Sequence, residues 1–251
     1  MFAMMTADNE MNGRVVRARA DGAPWRNFYG RRQGRKLRSG QASRLEARLR
    51  ELEPPGIGWD VNPERRALDP SRLWPGKEIW LEIGFGGGEH MLATASRNPH
   101  VQIIGADRFM NGVAKLLAAL DQAGLGNISV TGHDARDLMD VLPEGSIGRV
   151  YLLYPDPWPK PRHQKRRFIN RPQLEQLARI MRPGAELRIA TDMPVYVRHV
   201  VDVMAADPRF AGPAGAAGDW HEPWDHWPGT RYEAKALREG RTPHYLIFQR
   251  L

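Results

Sequence analysis

Three acidic residues and a glycine-rich turn are the residues best suited to chemistry in this sequence. Glu82 lies inside an apolar run, and Asp107 and Asp134 follow two later apolar runs. Gly84 and Gly86 come shortly after Glu82, and glycines allow a tight turn and the close approach of a ligand to the backbone. A carboxylate placed like Asp107 accepts hydrogen bonds from a ribose diol, and one placed like Asp134 can accept from an adenine amine. The set predicts a site for an adenosine-containing ligand, with helix capping as the alternative role of Asp134.

The position of Glu82 distinguishes between two classes of ligand. An acid inside an apolar strand is costly to bury without a partner, and a cationic ligand would be one such partner. Dinucleotides place a pyrophosphate at the glycine turn, where an extra carboxylate would repel it. S-adenosylmethionine carries an ammonium and a sulfonium and has no phosphate. We therefore expect S-adenosylmethionine as the cofactor, and a dinucleotide-dependent oxidoreductase is disfavoured.

A fourth acid, Asp156, lies in a rigid loop. The loop Tyr154–Lys160 follows the fourth strand of the predicted domain, and its three prolines restrict the backbone around Asp156. In a doubly wound sheet this position lies beside the first strand, so we expect Asp156 near the reactive end of the cofactor. Cations crowd the same stretch, and contact with phosphates is their natural use. These cations are Lys160, Arg162, Lys165, Arg166 and Arg167.

The elements that must position these residues follow from the pattern of apolar residues. Beyond residue 79, short apolar runs alternate with helical periodicity, which is typical of an α/β fold with a parallel sheet. The predicted strands are 79–83, 101–106, 128–131, 149–154, 186–191 and 244–249. The predicted helices are 43–52, 88–97, one that stops at Gly124, one from Pro172 to Arg182–Gly184, 196–204 and 233–238. We predict a doubly wound, mostly parallel, seven-stranded Rossmann-like sheet with the acids at its carboxyl edge.

Composition divides the rest of the chain. In residues 1–53 arginines greatly outnumber acids, which predicts a basic, flexible N-terminal arm. Residues 54–76 are rich in proline and glycine and are predicted to link the arm to a domain that covers 77–251. The formal net charge is +8, which favours an anionic partner.

Several classes of protein are excluded or disfavoured. The chain has no cysteine, which excludes a disulfide scaffold and a thiolate metal site. The histidines show no metal-ligand spacing with nearby acids, so we predict no metal. No apolar stretch approaches the roughly 18 residues of a membrane span, and the N-terminus lacks a signal-peptide core. We expect a cytoplasmic protein, monomeric or homodimeric, with no membrane partner.

The motifs together resemble those of the bacterial tRNA (guanine-N7-)-methyltransferase family. The resemblance is carried by Glu82–Gly86, by Asp156–Lys160 with the cations that follow, and by Thr230–Glu233. It runs from about Trp80 to the C-terminus. The segment around Asp156 is the most specific, because the glycine loop alone indicates only the broad methyltransferase class. The resemblance implies methylation of N7 of guanosine 46 in the variable loop of tRNA, with tRNA as the partner.

The resemblance also implies roles for individual residues. Glu82, Asp107, Asp134 and Asp156 match the family's cofactor-binding acids, and Asp156 also matches its proposed catalytic residue. The positions that match its substrate-binding residues are Lys160, Asp192, Thr230, Arg231, Tyr232 and Glu233. Asp107 departs from the family pattern, which usually has Glu there, so its contact with the ribose is either direct or through water. For Asp192, helix capping is the alternative.

The expected chemistry needs positioning more than a base. Guanine N7 is an exposed lone pair with no proton to remove, so holding the reactants in line supplies most of the acceleration. A fixed carboxylate, Asp156, would stabilise the positive charge that develops on the base. Nearby Trp220, Trp224 and Trp227 are expected to pack in the core or a lid, with stacking on a flipped base as the alternative.

Two other functions compete with this interpretation. One is a guanine methyltransferase that acts on another RNA, such as a ribosomal or cap guanine. The other is a nucleic-acid-binding protein with an inactive cofactor fold, which the complete set of acids disfavours.

Overall fold

The structure is a computed structural model of the chain, and it describes residues 9–11, 14–16, 26–30, 32, 34, 39–214 and 220–251. Side chains are described for residues 26–30, 32, 34, 45–214 and 220–251. Of the predicted flexible arm 1–53, residues 1–8, 12–13, 17–25, 31, 33 and 35–38 lie outside the described residues.

A seven-stranded sheet forms the centre of the molecule. The strands are β1 (Asn9–Met11), β2 (Arg14–Val16), β3 (Glu78–Ile83), β4 (Val101–Ala106), β5 (Ile128–Thr131), β6 (Ile147–Leu153), β7 (Met181–Thr191), β8 (Phe210–Ala211) and β9 (His244–Arg250). The first two pair with each other, and the other seven form one sheet in the order β5-β4-β3-β6-β7-β9-β8. The strand β9 runs antiparallel to both of its neighbours, and β3 to β7 pair in parallel. The predicted mostly parallel, doubly wound sheet is confirmed.

Helices cover both faces of this sheet. They are α1 (Ser39–Leu52), α2 (Pro70–Leu73), α3 (Glu89–Arg97), α4 (Met110–Ala123), α5 (Ala135–Val141), α6 (Arg171–Ile180), α7 (Pro194–Ala205) and α8 (Arg231–Arg238), with a 3-10 helix at Pro161–Arg166. Buried side chains of α1, α3 and α4 pack on one face, and those of α5, α6 and α7 pack on the other. Within the described part of the chain, none of these helices combines the length and apolarity that crossing a bilayer requires.

Both faces of the parallel strands are buried, and this explains their continuous apolar sequences. Trp80 and Ile103 face the layer of α3 and α4, whereas Leu81 and Ile104 face the opposite layer. Full burial of such a side chain stabilises the fold by about 1.5–3 kcal/mol. The alternation therefore fixes which residues lie beside the sheet's carboxyl edge.

The chain reverses its direction of winding between β3 and β6. From β3 it proceeds outward to β4 and β5, and then returns to place β6 on the other side of β3. In open α/β sheets, ligands bind in the crevice outside the carboxyl ends of the strands at such a point. The glycine turn after β3 and the loop after β6 meet there.

One assignment of secondary structure differs from the sequence prediction. The predicted end of the helix at Arg182–Gly184 is wrong, because Met181 already has extended backbone angles and these residues belong to β7. The predicted linker 54–76 packs closely on the domain: Ile57 and Leu68 join the core, and Leu68 N donates a hydrogen bond of 2.7 Å to Val141 O.

Candidate active site

A cavity of about 390 Å³ opens at the carboxyl edge of the sheet, beside the ends of β3, β4, β5 and β6. Ligand sites typically have volumes of roughly 300–1,000 Å³. The predicted residues that line it are Gly84, Gly86, Asp107, Asp134, Asp156, Lys165, Arg166, Arg167 and Tyr232. The predicted residues outside the lining are Glu82, Lys160, Arg162, Asp192, Thr230, Arg231 and Glu233.

The glycine turn after β3 forms the floor of the cavity. Gly86 has a φ of 58°, a left-handed conformation that side chains disfavour. The helix α4 crosses directly against this turn, since a Cβ added to Gly112 would lie 2.1 Å from Gly86 O. An added Cβ on Gly84 would meet no atom within 4 Å, so the turn presents open space to a ligand.

Asp107 lies just beyond β4 and is bound to the glycine turn. One carboxylate oxygen accepts a hydrogen bond from Gly86 N at 2.7 Å, and the other accepts from Phe109 N at 2.8 Å. Burial raises the pKa of Asp107, although both hydrogen bonds and the charge of Arg231 oppose the shift. Each carboxylate oxygen has a second lone pair, so Asp107 retains acceptor capacity toward the cavity.

Asp134 is the N-cap of α5. Its Oδ1 accepts from Arg136 N at 3.0 Å, and the guanidinium of Arg136 donates to both carboxylate oxygens at 2.9 and 2.7 Å. Burial acts to raise the pKa of Asp134, but the hydrogen bonds and charge of Arg136 outweigh it and lower the pKa. The helix-capping interpretation is confirmed, and the same residue also lines the cavity. Its contact with adenine stays a prediction.

Glu82 is buried beneath the glycine turn, where it has a partner within the protein. Its Oε2 lies 2.6 Å from His90 Nδ1, and His90 Nε2 lies 3.3 Å from Thr94 Oγ1. The rings of Tyr151 and Trp227 enclose the imidazole, with centroids 4.6 and 5.3 Å away. A cationic ligand is therefore not needed to explain the burial of this acid. Its cofactor-binding role stays a prediction that depends on the resemblance.

The loop after β6 has an uncommon backbone conformation on both sides of Asp156, and hydrogen bonds hold it on the C-terminal side. Tyr154 and Trp158 have φ values of 49° and 41°, which are uncommon for residues other than glycine and concentrate at functional sites. Arg167 braces the loop: its Nε donates to Pro157 O at 2.8 Å, and its Nη2 donates to Trp158 O at 3.1 Å.

Asp156 offers a carboxylate without a protein partner. Among the described residues, none donates a hydrogen bond to this carboxylate or forms an ion pair with it. The residue is exposed at the cavity wall, yet the surrounding protein removes enough water to raise the pKa of its carboxyl group. A cation in the cavity would therefore find an acceptor at Asp156.

The predicted cations separate into two groups. Lys165 and Arg166 lie at the rim of the cavity, and Arg166 is held between the rings of Tyr29 and Trp158, 4.7 and 4.9 Å from their centroids. Lys160 and Arg162 are exposed beyond the rim.

Arg167 does not fit the predicted phosphate contact. Arg167 is 2% exposed and donates hydrogen bonds to two backbone carbonyls of the loop after β6. The prediction treated the run of cations as one surface, whereas the turn after the 3-10 helix directs this residue inward. Arg167 is a brace for the loop.

The predicted substrate-binding motif near the C-terminus builds the start of α8. Thr230 Oγ1 accepts from Glu233 N at 3.1 Å, and Glu233 Oε2 accepts from Thr230 N at 3.2 Å, which forms a capping box. Glu233 also accepts from Trp227 Nε1 at 2.7 Å and from the hydroxyl of Tyr245. Thr230 and Glu233 thus fix the position of the helix.

The capped helix places Tyr232 at the cavity and Arg231 beside the glycine turn. The ring of Tyr232 stacks on that of Tyr154, with centroids 6.4 Å apart. Arg231 lies over the glycine turn, since a Cβ added to Gly86 would be 3.0 Å from its Nη2. Asp192 lies away from the lining, where its carboxylate accepts a hydrogen bond from Arg241.

The tryptophans of the same region pack against each other and the sheet. Trp224 is buried, its ring lies 4.9 Å from that of Trp227, and both contact Tyr245. The packing interpretation of these two residues is confirmed.

Sequence reasoning missed several residues of the site. Asn27–Gly30 line the cavity, as do Arg108 and Arg136. Phe28 and Tyr29 are neighbouring aromatics in an arm with few apolar residues, and this signal could have indicated a packed segment. Within the described residues, no group of three or more His, Asp or Glu residues is arranged to hold a metal ion.

Comparisons with known proteins agree with this geometry. A family model described as "Putative methyltransferase" matches residues 76–246. A curated tRNA (guanine-N(7)-)-methyltransferase of Ruegeria sp. (strain TM1040) is 54% identical over 92% of this chain and 90% of its own length. Proteins of the same name from Jannaschia sp. (strain CCS1) and Roseobacter denitrificans are 54% and 52% identical, each over 90% of this chain and at least 95% of their own length.

The doubly wound sheet and its acid-lined crevice define a class I S-adenosylmethionine-dependent methyltransferase. Within that class, the chain belongs to the tRNA (guanine-N(7)-)-methyltransferase family.

Proposed function

We propose that this enzyme transfers a methyl group from S-adenosylmethionine to N7 of guanosine 46 in the variable loop of tRNA, in the cytoplasm. The observation that carries the proposal is the position of Asp156. Its partner-free carboxylate lies on a braced loop, between an acid-lined cavity and a cationic rim. This arrangement suits a reaction that moves positive charge from a small cofactor to a base of a polyanion.

The cavity has the chemistry that the cofactor requires. When bound, S-adenosylmethionine supplies an electrophilic methyl group on a sulfonium. The open space beside Gly84 admits the ligand to the backbone. Asp107 has free lone pairs for a ribose diol, and Asp134 lies at the next strand end, where an adenine amine would be bound. Burial raises the pKa of Asp107. A nearby positive charge on the cofactor would favour the ionised form of this carboxylate.

Asp156 orients the guanine and stabilises the charge that it gains. Guanine N7 has no proton, so Asp156 is not required to act as a base. A fixed carboxylate without other partners retains its full capacity for the transition state. Arg167 holds the loop that carries this carboxylate, and its guanidinium donates to the backbone carbonyls of Pro157 and Trp158 rather than to Asp156.

The cations at and beyond the rim hold the RNA. Lys165 and Arg166 lie at the rim, and Lys160 and Arg162 extend the same surface outward. Neutralising one of them should reduce the salt dependence of tRNA binding by about 0.7–0.9 in the log–log slope. An unchanged slope in all four variants would show that these cations do not contact tRNA phosphates.

The test is a methylation assay with labelled cofactor and unmodified tRNA, followed by identification of the modified nucleoside. We expect 7-methylguanosine in wild-type tRNA and none in a tRNA with adenosine at position 46. Asp156→Asn should keep cofactor affinity and lose at least 100-fold in single-turnover rate. Equal methylation of both tRNAs, or preferential methylation of ribosomal RNA, would contradict the proposed target.

A further inference from the structure

The N-terminal segment Arg26–Gly30 lies against the cavity, outside the residues 76–246 that the family model matches. We propose that this segment is the outer wall of the cofactor site and binds the adenosine end of S-adenosylmethionine. The inference rests on the proposed function, because it assumes that Asp107 and Asp134 face that end of the cofactor.

The first anchor of the segment is a double ion pair with α5. Arg26 Nη1 and Nη2 donate to the two carboxylate oxygens of Asp140 at 2.7 and 2.8 Å, and Nη1 also donates to Asp137 at 3.0 Å. The side chains are 25%, 14% and 13% exposed. Bidentate pairs of this kind are strong and directional, and partial burial limits screening by salt. This anchor holds the segment against α5, the helix that Asp134 caps.

The second anchor acts directly at a predicted cofactor contact. Arg136 Nη2 donates to the backbone oxygen of Asn27 at 3.0 Å and to Asp134 Oδ2 at 2.7 Å. One guanidinium therefore joins the segment to the acid predicted to accept from adenine. Any ligand that orders Asp134 also favours the docked segment, and the docked segment favours the ligand in return.

Aromatic side chains complete the wall. Phe28 lines the cavity and lies 5.4 Å from the guanidinium of Arg108, the residue after Asp107. Tyr29 also lines the cavity and contacts Arg166, on the opposite side, at 4.7 Å. The segment thus spans the cavity mouth from the α5 side to the cationic rim, and it adds apolar surface beside two acids. Apolar walls with a few convergent polar groups are characteristic of nucleoside sites.

The test measures binding of S-adenosylmethionine to the full chain by calorimetry, without tRNA. Phe28→Ala and Arg26→Ala should each raise the dissociation constant about tenfold. Arg50→Ala is the matched control for Arg26→Ala: it also removes one arginine and its ion pair, with Glu46, but lies away from the cavity. Its dissociation constant should equal that of the wild type.

A second measurement separates binding from a merely structural role. Amide hydrogen exchange of residues 26–30 in the wild type should slow when S-adenosylmethionine is added. Unchanged exchange, or wild-type affinity in both segment variants, would overturn the inference while leaving the methylation of tRNA intact. Failure of the wild type itself to bind S-adenosylmethionine would instead refute the proposed function.

Discussion

Replacing the buried Arg167 with methionine tests whether the loop after β6, which carries Asp156, depends on the hydrogen bonds that Arg167 donates to it. A hydrogen bond to a charged group contributes about 1.5–3 kcal/mol, and Arg167 makes two of them to Pro157 O and Trp158 O. Methionine keeps the apolar stem of the side chain and lacks the guanidinium, so the substitution removes both hydrogen bonds. We expect Arg167→Met to lower the free energy of unfolding in urea by about 3 kcal/mol.

The same substitution should slow the chemistry without weakening RNA binding. A shift of about 1 Å at the reacting groups lowers a rate roughly 100-fold, so we expect a loss of this order in single-turnover methyl transfer. The matched control is Arg166→Met, one residue earlier at the rim. That variant should lose at most about 1 kcal/mol and should reduce the salt slope of tRNA binding instead. If Arg167→Met kept wild-type stability and rate, or reduced the salt slope like Arg166→Met, the brace would be refuted.

Four further predictions follow from local geometry. Because burial raises the pKa of Asp156, the single-turnover rate should fall in acid as this carboxylate is protonated, and Asp156→Asn should flatten that limb of the pH profile. A raised carboxyl pKa makes the charged form unfavourable in the fold, so Asp156→Asn should be more stable than the wild type at neutral pH, and the difference should vanish at a pH below the unfolded pKa. Gly112→Ala should weaken S-adenosylmethionine binding and lower the free energy of unfolding by about 1–3 kcal/mol, because its Cβ would lie 2.1 Å from Gly86 O. The control is Gly126→Ala, whose Cβ would meet no atom within 4 Å. Equal effects of the two substitutions would contradict the contact. Thr230→Ala should lower the free energy of unfolding by about 1 kcal/mol through loss of its N-cap, and an unchanged urea midpoint would show that the cap is dispensable.

The sheet was predictable because its strands are buried on both faces. Such strands are continuous apolar runs, and the bounds of β4 and β5 agree with the prediction at both ends. The seven-residue helix α5 was missed, since it is too short to show a clear helical period. The end of α6 was misplaced because Pro183 and Gly184 are typical helix-ending residues, yet here they lie within β7.

The types of the site residues were predictable, but their partners were not. Asp107, Asp134 and Asp156 follow the carboxyl ends of three parallel strands, β4, β5 and β6. These ends lie at one edge of the sheet, so the shared cavity follows from the topology. The partner of Glu82 is on the following helix, and that of Asp192 is 49 residues later in the chain. Neither pairing leaves a local pattern. The inward turn of Arg167 is likewise decided by tertiary packing, although the earlier cations Arg162 and Lys165 are exposed.

The position of β9 between β7 and β8 has a consequence for the edge of the sheet. This antiparallel strand joins β7 to the short strand β8. Without it, β8 would have no strand to pair with and one edge of β7 would stay open. We infer that deletion of His244–Arg250 would leave an aggregation-prone edge rather than a slightly shorter enzyme.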